Sequence, residues 1–307
     1  MMAAGKLTHR RGTLLRDEPM SRHTSWRVGG LADCVYLPAD LDDLSEFLAS
    51  LPKDEPITWV GLGSNLLVRD GGVRGTVIMT SGTLGELSLQ GDGTVRAEAG
   101  VACAKIARFS VQQGLQGGEF LAGIPGTVGG ALAMNAGCHG SETWQFVTAV
   151  ETVDRSGERR VRALKDFTVA YRKVSGPAGE WFAAGHFRFR PGQAVEGRGV
   201  IKQLLAKRGA SQPTQLPNAG SVFKNPAGDF AARLIEASGL KGVCEGRACV
   251  SEMHANFIVN TGDARAADIE KLIARVQAEV EMQQGVRLET EVRVIGEEKG
   301  GTADERR

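Results

Sequence analysis

The sequence carries almost no net charge: 37 Lys and Arg against 36 Asp and Glu leave +1. That balance argues against nucleic acid or an anionic membrane as the main partner. No window reaches the roughly 20 apolar residues that a membrane span needs. Residues 1–22 lack the apolar core of a secretory signal, so a cytoplasmic protein is expected. The five cysteines, Cys34, Cys103, Cys138, Cys244 and Cys249, contain no C-x-x-C pair. An odd number without an export signal reads as reduced, mostly buried thiols. Cys244 and Cys249 lie near enough to bridge, but free thiols are the expectation. Five histidines are scattered without metal spacing, and no metal site is expected. Internal repeats and low-complexity tracts are absent as well.

Glycine is what the chain has in excess: 41 residues, close to twice the usual share of about 7%. Two loops concentrate it. The longer is Gly123-Ile124-Pro125-Gly126-Thr127-Val128-Gly129-Gly130-Ala131-Leu132-Ala133-Met134-Asn135-Ala136-Gly137. It is uncharged, and Ile124, Val128, Leu132 and Met134 stand where a surface linker would carry Ser, Asp or Lys. Such a segment is expected to be buried against a large flat ligand, offering it peptide N–H groups. The shorter loop, Gly61-Leu62-Gly63-Ser64-Asn65-Leu66-Leu67, follows the apolar run Ile57–Val60. Neither loop reads G-x-x-x-x-G-K-[ST], which excludes a P-loop. Leu66 stands where a Rossmann turn needs its third glycine, and no acidic residue follows in a ribose position. Together the loops suggest a phosphate-bearing cofactor held between them.

A chain of 307 residues is expected to form two or three compact units. Leu41, Leu44, Phe47, Leu48 and Leu51 recur at helical spacing, and Val101–Gln113 reads as a helix closed by Gly114. Phe146–Val153 and Arg159–Ala163 form a predicted hairpin around Asp154–Gly157. The best boundary is Gly192–Gly199, after which longer helices take over. Ile269, Leu272, Ile273, Val276 and Val280 mark the clearest of these, and a strand alternating Val286, Leu288, Thr290, Val292 and Val294 follows.

Several polar residues stand in places that suit chemistry. Ser221, in Asn218–Pro226, precedes Lys224 and Asn225, which suit phosphate and hydroxyl recognition; a turn or N-cap serine is the plainer alternative. Phe223 replaces the second glycine of G-x-S-x-G, so acyl transfer has little support. Glu289 and Glu291 share one face of the last strand, where solvent-facing carboxylates are usual and a proton donor is the alternative. Tyr171-Arg172 offers either an exposed arginine or an anion clamp. His254 reads as a hydrogen-bonded packing residue or a ligand.

In order from His23 to Gly296, these segments resemble the UDP-N-acetylenolpyruvoylglucosamine reductase (MurB) family. The landmarks are His23–Gly30, Gly61–Leu67, Gly123–Gly137, Tyr171-Arg172, Gln212-Pro213, Ala219–Pro226, Ser251–Asn260 and Leu288–Glu291. The resemblance implies an α+β protein with a two-lobed FAD-binding domain of the vanillyl-alcohol-oxidase type at 21–198, its lobes 21–80 and 81–198. A smaller α+β substrate-binding domain at 199–296 follows, between loose tails at 1–20 and 297–307. It further implies non-covalent FAD held by Gly61, Gly63, Ser64, Asn65 and Leu66, and by Gly123, Ile124, Pro125, Gly126, Thr127, Gly129, Gly130, Asn135, Ala136 and Gly137. NADPH would be the co-substrate and UDP-N-acetylglucosamine enolpyruvate the substrate, contacted by Tyr171, Gln212, Lys224, Asn225 and His254. Arg172, Ser221 and Glu291 would be the catalytic trio. Arg172 and Glu291 would stabilise charge developing toward the substrate carboxylate, and Ser221 would protonate the adjacent carbon. A monomer is expected, of the shorter subgroup without a capping tyrosine loop. Two competing readings stay open: an oxidase of the same FAD fold with flavin linked to His139, and a non-catalytic flavin or nucleotide-sugar binder.

Overall fold

Apolar residues far apart in sequence decide how this chain divides. The structure, a computed structural model, describes residues 11–299. One unit takes the chain up to Leu15, Cys34–Leu62 and Gly75–Ala206; the other takes Arg16–Asp33, Gly63–Arg74 and everything from Lys207 onward. The expected division at 198/199 differs from this. Trp26, Val28 and Leu67 are buried in the core of the second unit, which draws two N-terminal segments into it.

In the first unit, helix α1 (Leu41–Ser50) starts at Asp40, whose carboxylate accepts the amides of Asp42 and Asp43. Its apolar stripe of Leu41, Leu44, Phe47 and Leu48 packs with Tyr36, Ile78 and Val153. Beside it Ile57–Val60 pairs in parallel with Thr76–Met79. The larger sheet is antiparallel and five-stranded, in the order Arg159–Ala163, Val147–Asp154, Glu180–Phe187, Val95–Glu98, Leu87–Leu89. The predicted hairpin is its first pair. Helices α2 (Cys103–Gln112) and α3 (Val128–Met134) join this sheet's core through Ile106, Ala107, Val128 and Leu132. Gly114, at φ +70°, closes α2 as its position predicts.

The boundary expected at Gly192–Gly199 is instead the start of helix α4, Ala194–Ser211. Gly197 is what allows it: a Cβ there would lie 2.7 Å from Val111. The expected loose tail at 1–20 is corrected over Thr13–Pro19, a strand whose Leu14 packs beside the α1 stripe. Residues 1–10 and 300–307 lie outside the described residues.

The second unit packs helices α5 (Ala231–Ala237) and α6 (Ala266–Gln284) with a three-stranded antiparallel sheet of Cys244–Glu245, Ala248–Val250 and Ile258–Asn260. Ile269, Leu272, Ile273, Val276 and Val280 are buried as their spacing predicts. Asp70 accepts the amides of Ala266 and Ala267 and so caps α6 from 196 residues away. Trp26 Nε1 donates to the carbonyl of Ile258, and Asn260 returns a bond to the carbonyl of Trp26. The strand expected over Val286–Val294 forms only at Arg293–Ile295, paired in parallel with Leu66–Val68. Upstream of it the segment is extended, with Leu288 and Val292 buried, but bridges a neighbour at Thr290 alone.

Candidate active site

The first residues of the shorter glycine loop, Gly61 and Leu62, lie in the same unit as the longer one. A Cβ on Gly61 would lie 2.3 Å from Thr127 Oγ1, so a side chain there would displace the threonine hydroxyl. That hydroxyl is buried and has no hydrogen-bond partner among the described residues. The amides of Gly61, Leu62, Gly63 and Ser64 likewise donate to no described residue. The longer segment is not all loop: its middle is the short helix α3, with Val128 and Leu132 in the core. Its peptide groups are less available than expected, because the amides of Val128 and Gly129 go to the carbonyls of Val101 and Ala99. Gly130 is exposed, and a Cβ there would find only Thr127 Oγ1 at 3.8 Å.

At two of these glycines an added side chain would meet the protein itself. A Cβ on Gly63, at φ +67°, would lie 2.0 Å from the carbonyl of His23. On Gly129 it would lie 3.0 Å from Ala99 Cβ. The protein's own packing requires glycine at 63 and leaves a side chain at 129 only a tight fit.

Asn135 ends α3 in the left-handed conformation, φ 48°. Its side chain is engaged internally: Nδ2 donates to Glu142 and to the carbonyl of Ala170, while Oδ1 accepts from Trp144. Tyr171 and Arg172 form the two-residue turn between strands Thr168–Ala170 and Lys173–Ser175. Arg172 also has positive φ, 55°, a conformation that bulky residues adopt when the surroundings enforce it. Its guanidinium donates to the carbonyls of Asn135 (3.3 Å) and Gly137 (2.8 Å) and lies 5.0 Å from the ring centroid of Tyr171. The hairpin thus aims Arg172 at the end of the glycine segment, joining two sequence-predicted elements. Two other members of the glycine segment also meet protein: Cβ atoms on Gly123 and Gly137 would lie 2.9 Å from Cys138 Sγ and 2.5 Å from the carbonyl of Ser141. Cys103 is buried in the same unit, and burial pushes its thiol up to about 12.

In the second unit Ser221 and Glu291 come together. The amide of Glu291 donates to the carbonyl of Val222 (2.8 Å), and that of Lys224 to the carbonyl of Glu289 (2.9 Å), around an antiparallel bridge between Phe223 and Thr290. Ser221 is half-buried, caps no helix, and its hydroxyl bonds to no described residue. Lys224 pairs with exposed Glu289, which separates the two glutamates: Glu289 faces outward and Glu291 is half-buried. Asn65 Nδ2 donates to the carbonyl of Glu291, so the shorter glycine loop supports that residue directly. Asn225 is exposed, and its Oδ1 accepts the amide of Ala231 at the start of α5. Gln212 accepts from Arg208 Nε at 3.1 Å.

His254 packs edge-on against Phe257, its Nδ1 accepting the amide of Asn256. Burial lowers its ring below the ordinary histidine value. Asn256 itself escaped the sequence reading. It is buried, and its side chain bonds both peptide groups of Phe223; one amide amid Ala255, Phe257, Ile258 and Val259 was the available signal. The reading of Cys244 and Cys249 as free thiols is corrected. They face each other across adjacent strands and form a disulfide. Among the described residues no cluster of His, Cys, Asp or Glu is arranged to hold a metal ion. No helix among them is long and apolar enough to cross a membrane.

Comparison with known proteins agrees with this arrangement. Residues 32–161 match the FAD binding domain family, and residues 212–295 the UDP-N-acetylenolpyruvoylglucosamine reductase C-terminal domain. The chain is 58% identical over 287 residues to UDP-N-acetylenolpyruvoylglucosamine reductase of Methylococcus capsulatus, covering 94% of each chain. It is 55% identical to that of Legionella pneumophila over 297 residues, covering 96% of each. The crystal structure of the Thermus caldophilus reductase superposes with a TM-score of 0.78 at 32% identity, covering 92% of this chain and 98% of that one. An FAD-binding domain of the expected type and a reductase C-terminal domain on one α+β chain place it, as a member, in the UDP-N-acetylenolpyruvoylglucosamine reductase family.

Proposed function

We propose that this chain is a cytoplasmic, NADPH-dependent reductase of the enolpyruvyl ether of UDP-N-acetylglucosamine enolpyruvate, forming UDP-N-acetylmuramate for peptidoglycan, with FAD bound non-covalently. The observation that supports the reading is the main-chain pairing of the segments that carry Ser221 and Glu291. The residues present fit a cofactor diphosphate. Within the first unit, the buried Thr127 Oγ1, without a partner among the described residues, the amides of Gly61 and Leu62 and the open face of Gly130 are donors and space that a phosphate uses.

Bound FAD supplies hydride transfer from NADPH to the terminal carbon of the enolpyruvyl group. The protein's part is to stabilise the charge that develops and to deliver a proton. Arg172 carries a planar fork of N–H donors whose terminal nitrogens donate to the carbonyls of Asn135 and Gly137. Held this way, it would present positive charge to the substrate carboxylate. Ser221 Oγ, small and without an internal partner, would give its proton to the carbon beside that carboxylate. Glu291, fixed through its main chain by Val222 and Asn65, would share in stabilising the enolate. Lys224 would leave Glu289 for the substrate diphosphate, with Tyr171, Gln212 and His254 completing the contacts. The protein would act as a monomer.

The test is an anaerobic stopped-flow experiment. NADPH should bleach the flavin, and UDP-N-acetylglucosamine enolpyruvate should restore its colour. Bleaching without recovery on substrate would sink the substrate assignment, and colourless folded protein would sink the cofactor.

A further inference from the structure

We infer that Asn256 is the positioning residue for Ser221, acting through Phe223; the inference rests on the proton-donor role proposed for Ser221. The chain around Ser221 forms an arch with two feet, both on the Asn256–Asn260 segment. At the first foot Asn260 donates its amide to the carbonyl of Pro217, and Asn218 bridges Val259. At the second, one residue after Ser221, the amide of Val222 donates to the carbonyl of Asn256 (2.9 Å). Between the feet stand Ala219, Gly220 and Ser221, with Gly220 at φ +75°.

The second foot adjoins Ser221, and beside its main-chain bond a side chain adds to its hold. Asn256 Oδ1 accepts the amide of Phe223 (2.9 Å), and its Nδ2 donates to the carbonyl of the same residue (2.8 Å). The carboxamide thus acts as one more peptide unit of a sheet, satisfying both main-chain groups of a single residue. It is 4% exposed, so water does not compete for these bonds. The opposite edge of the clamped segment is the one that pairs with Glu291. Asn256 therefore fixes the segment that holds the proposed donor in register with the proposed carboxyl. It touches neither substrate nor cofactor in this role; its effect is on geometry, to which proton transfer is steeply sensitive.

The experiment uses the holoenzyme of Asn256→Ala and of Asn256→Asp, which keeps the acceptor oxygen, with Ser221→Ala and the double variant Ser221→Ala/Asn256→Ala. Flavin reduction by NADPH and reoxidation by UDP-N-acetylglucosamine enolpyruvate are followed separately. Reduction should stay within about twofold of the parent, while reoxidation slows by on the order of ten- to a hundredfold, less in Asn256→Asp than in Asn256→Ala. In the Ser221→Ala background, Asn256→Ala should slow reoxidation by less than about twofold further, because the group it positions is gone. Should Asn256→Ala not yield folded protein, Asn256→Asp is carried through the same cycle. Full additivity in that cycle, or unchanged reoxidation in the Asn256 variants beside a slow Ser221→Ala, would overturn the positioning role alone. Unchanged reoxidation in Ser221→Ala would overturn the donor role and this inference with it.

Discussion

Arg172 donates to the carbonyl of Gly137 at 2.8 Å from a turn residue with φ 55°. One side chain therefore ties the Thr168–Ser175 hairpin to the end of the glycine segment, and substitutions here act on both. Arg172→Lys keeps the charge but loses the planar fork. Substrate-driven reoxidation should fall by roughly 1–3 kcal/mol in transition-state terms. Binding of the UDP moiety should change little. Parent-like turnover in Arg172→Lys would mean that the guanidinium serves only the fold.

For Ser221→Ala, flavin reduction by NADPH should be nearly intact while reoxidation by substrate slows on the order of 10²-fold or more. Glu291→Gln should follow the same pattern. Pre-steady-state absorbance of the flavin separates the two steps, and normal reoxidation in Ser221→Ala would return that serine to an ordinary loop role.

Thr127→Val replaces the buried, unpartnered hydroxyl by a methyl group of the same shape. The apoprotein should melt no lower, since no internal hydrogen bond is lost. FAD affinity should weaken by about 1 kcal/mol, a several-fold change, if the hydroxyl bonds the cofactor. Fluorescence titration of apoprotein with FAD reads this directly; unchanged affinity would remove Thr127 from the cofactor's contacts.

Asp70→Ala removes the carboxylate that accepts the amides of Ala266 and Ala267. Loss of this cap should cost about 1–2 kcal/mol in the unit that contains α6, seen as a lower denaturation midpoint. Asp70→Asn should recover part of it. A midpoint equal to the parent's in Asp70→Ala would mean that solvent caps the helix equally well.

Burial works against ionisation of Asp154, but hydrogen bonds from Ser156 and Arg160 outweigh it and hold the carboxyl at about 2. Its folded value lies below the unfolded one, so its contribution is fully present above about pH 4. It is lost as the pH falls from there through about 2. Asp154→Asn should flatten that part of the stability–pH curve while lowering stability at neutral pH. An unchanged acid limb, followed by circular dichroism, would assign acid unfolding to other carboxylates.

How much of this was legible depended on whether the signal was local. The α6 stripe from Ile269 to Val280, the hairpin around Asp154–Gly157 and the close at Gly114 rest on periodicity and turn chemistry within a few residues, and each stands where it was read. The glycine loops were visible by composition, yet the reason for Gly63 was not, because His23 approaches it from 40 positions away in the chain. The partners of Arg172 and Glu291 were equally hidden: Gly137, Val222 and Asn65 meet them only through long-range pairing. The start of helix α4 reads as a boundary because of its glycines, and no local rule reveals that Gly197 packs on Val111. Motif resemblance supplied what spacing could not, singling out Ser221 and Glu291 before any pairing between them was in view.

The bond from Trp26 to the carbonyl of Ile258 spans 232 positions and lies in the core that supports Ser221. Leu67 enters the same core from the first quarter of the chain, and Leu288 and Val292 enter it near the end. A nascent chain leaving the ribosome thus carries exposed apolar residues from its first tenth until nearly its last. Closing such loops comes before the contacts that reward it, so this unit should assemble late and slowly relative to the local α2–α3 sheet core. During synthesis, Trp26 is a stretch of apolar surface that a chaperone has reason to hold.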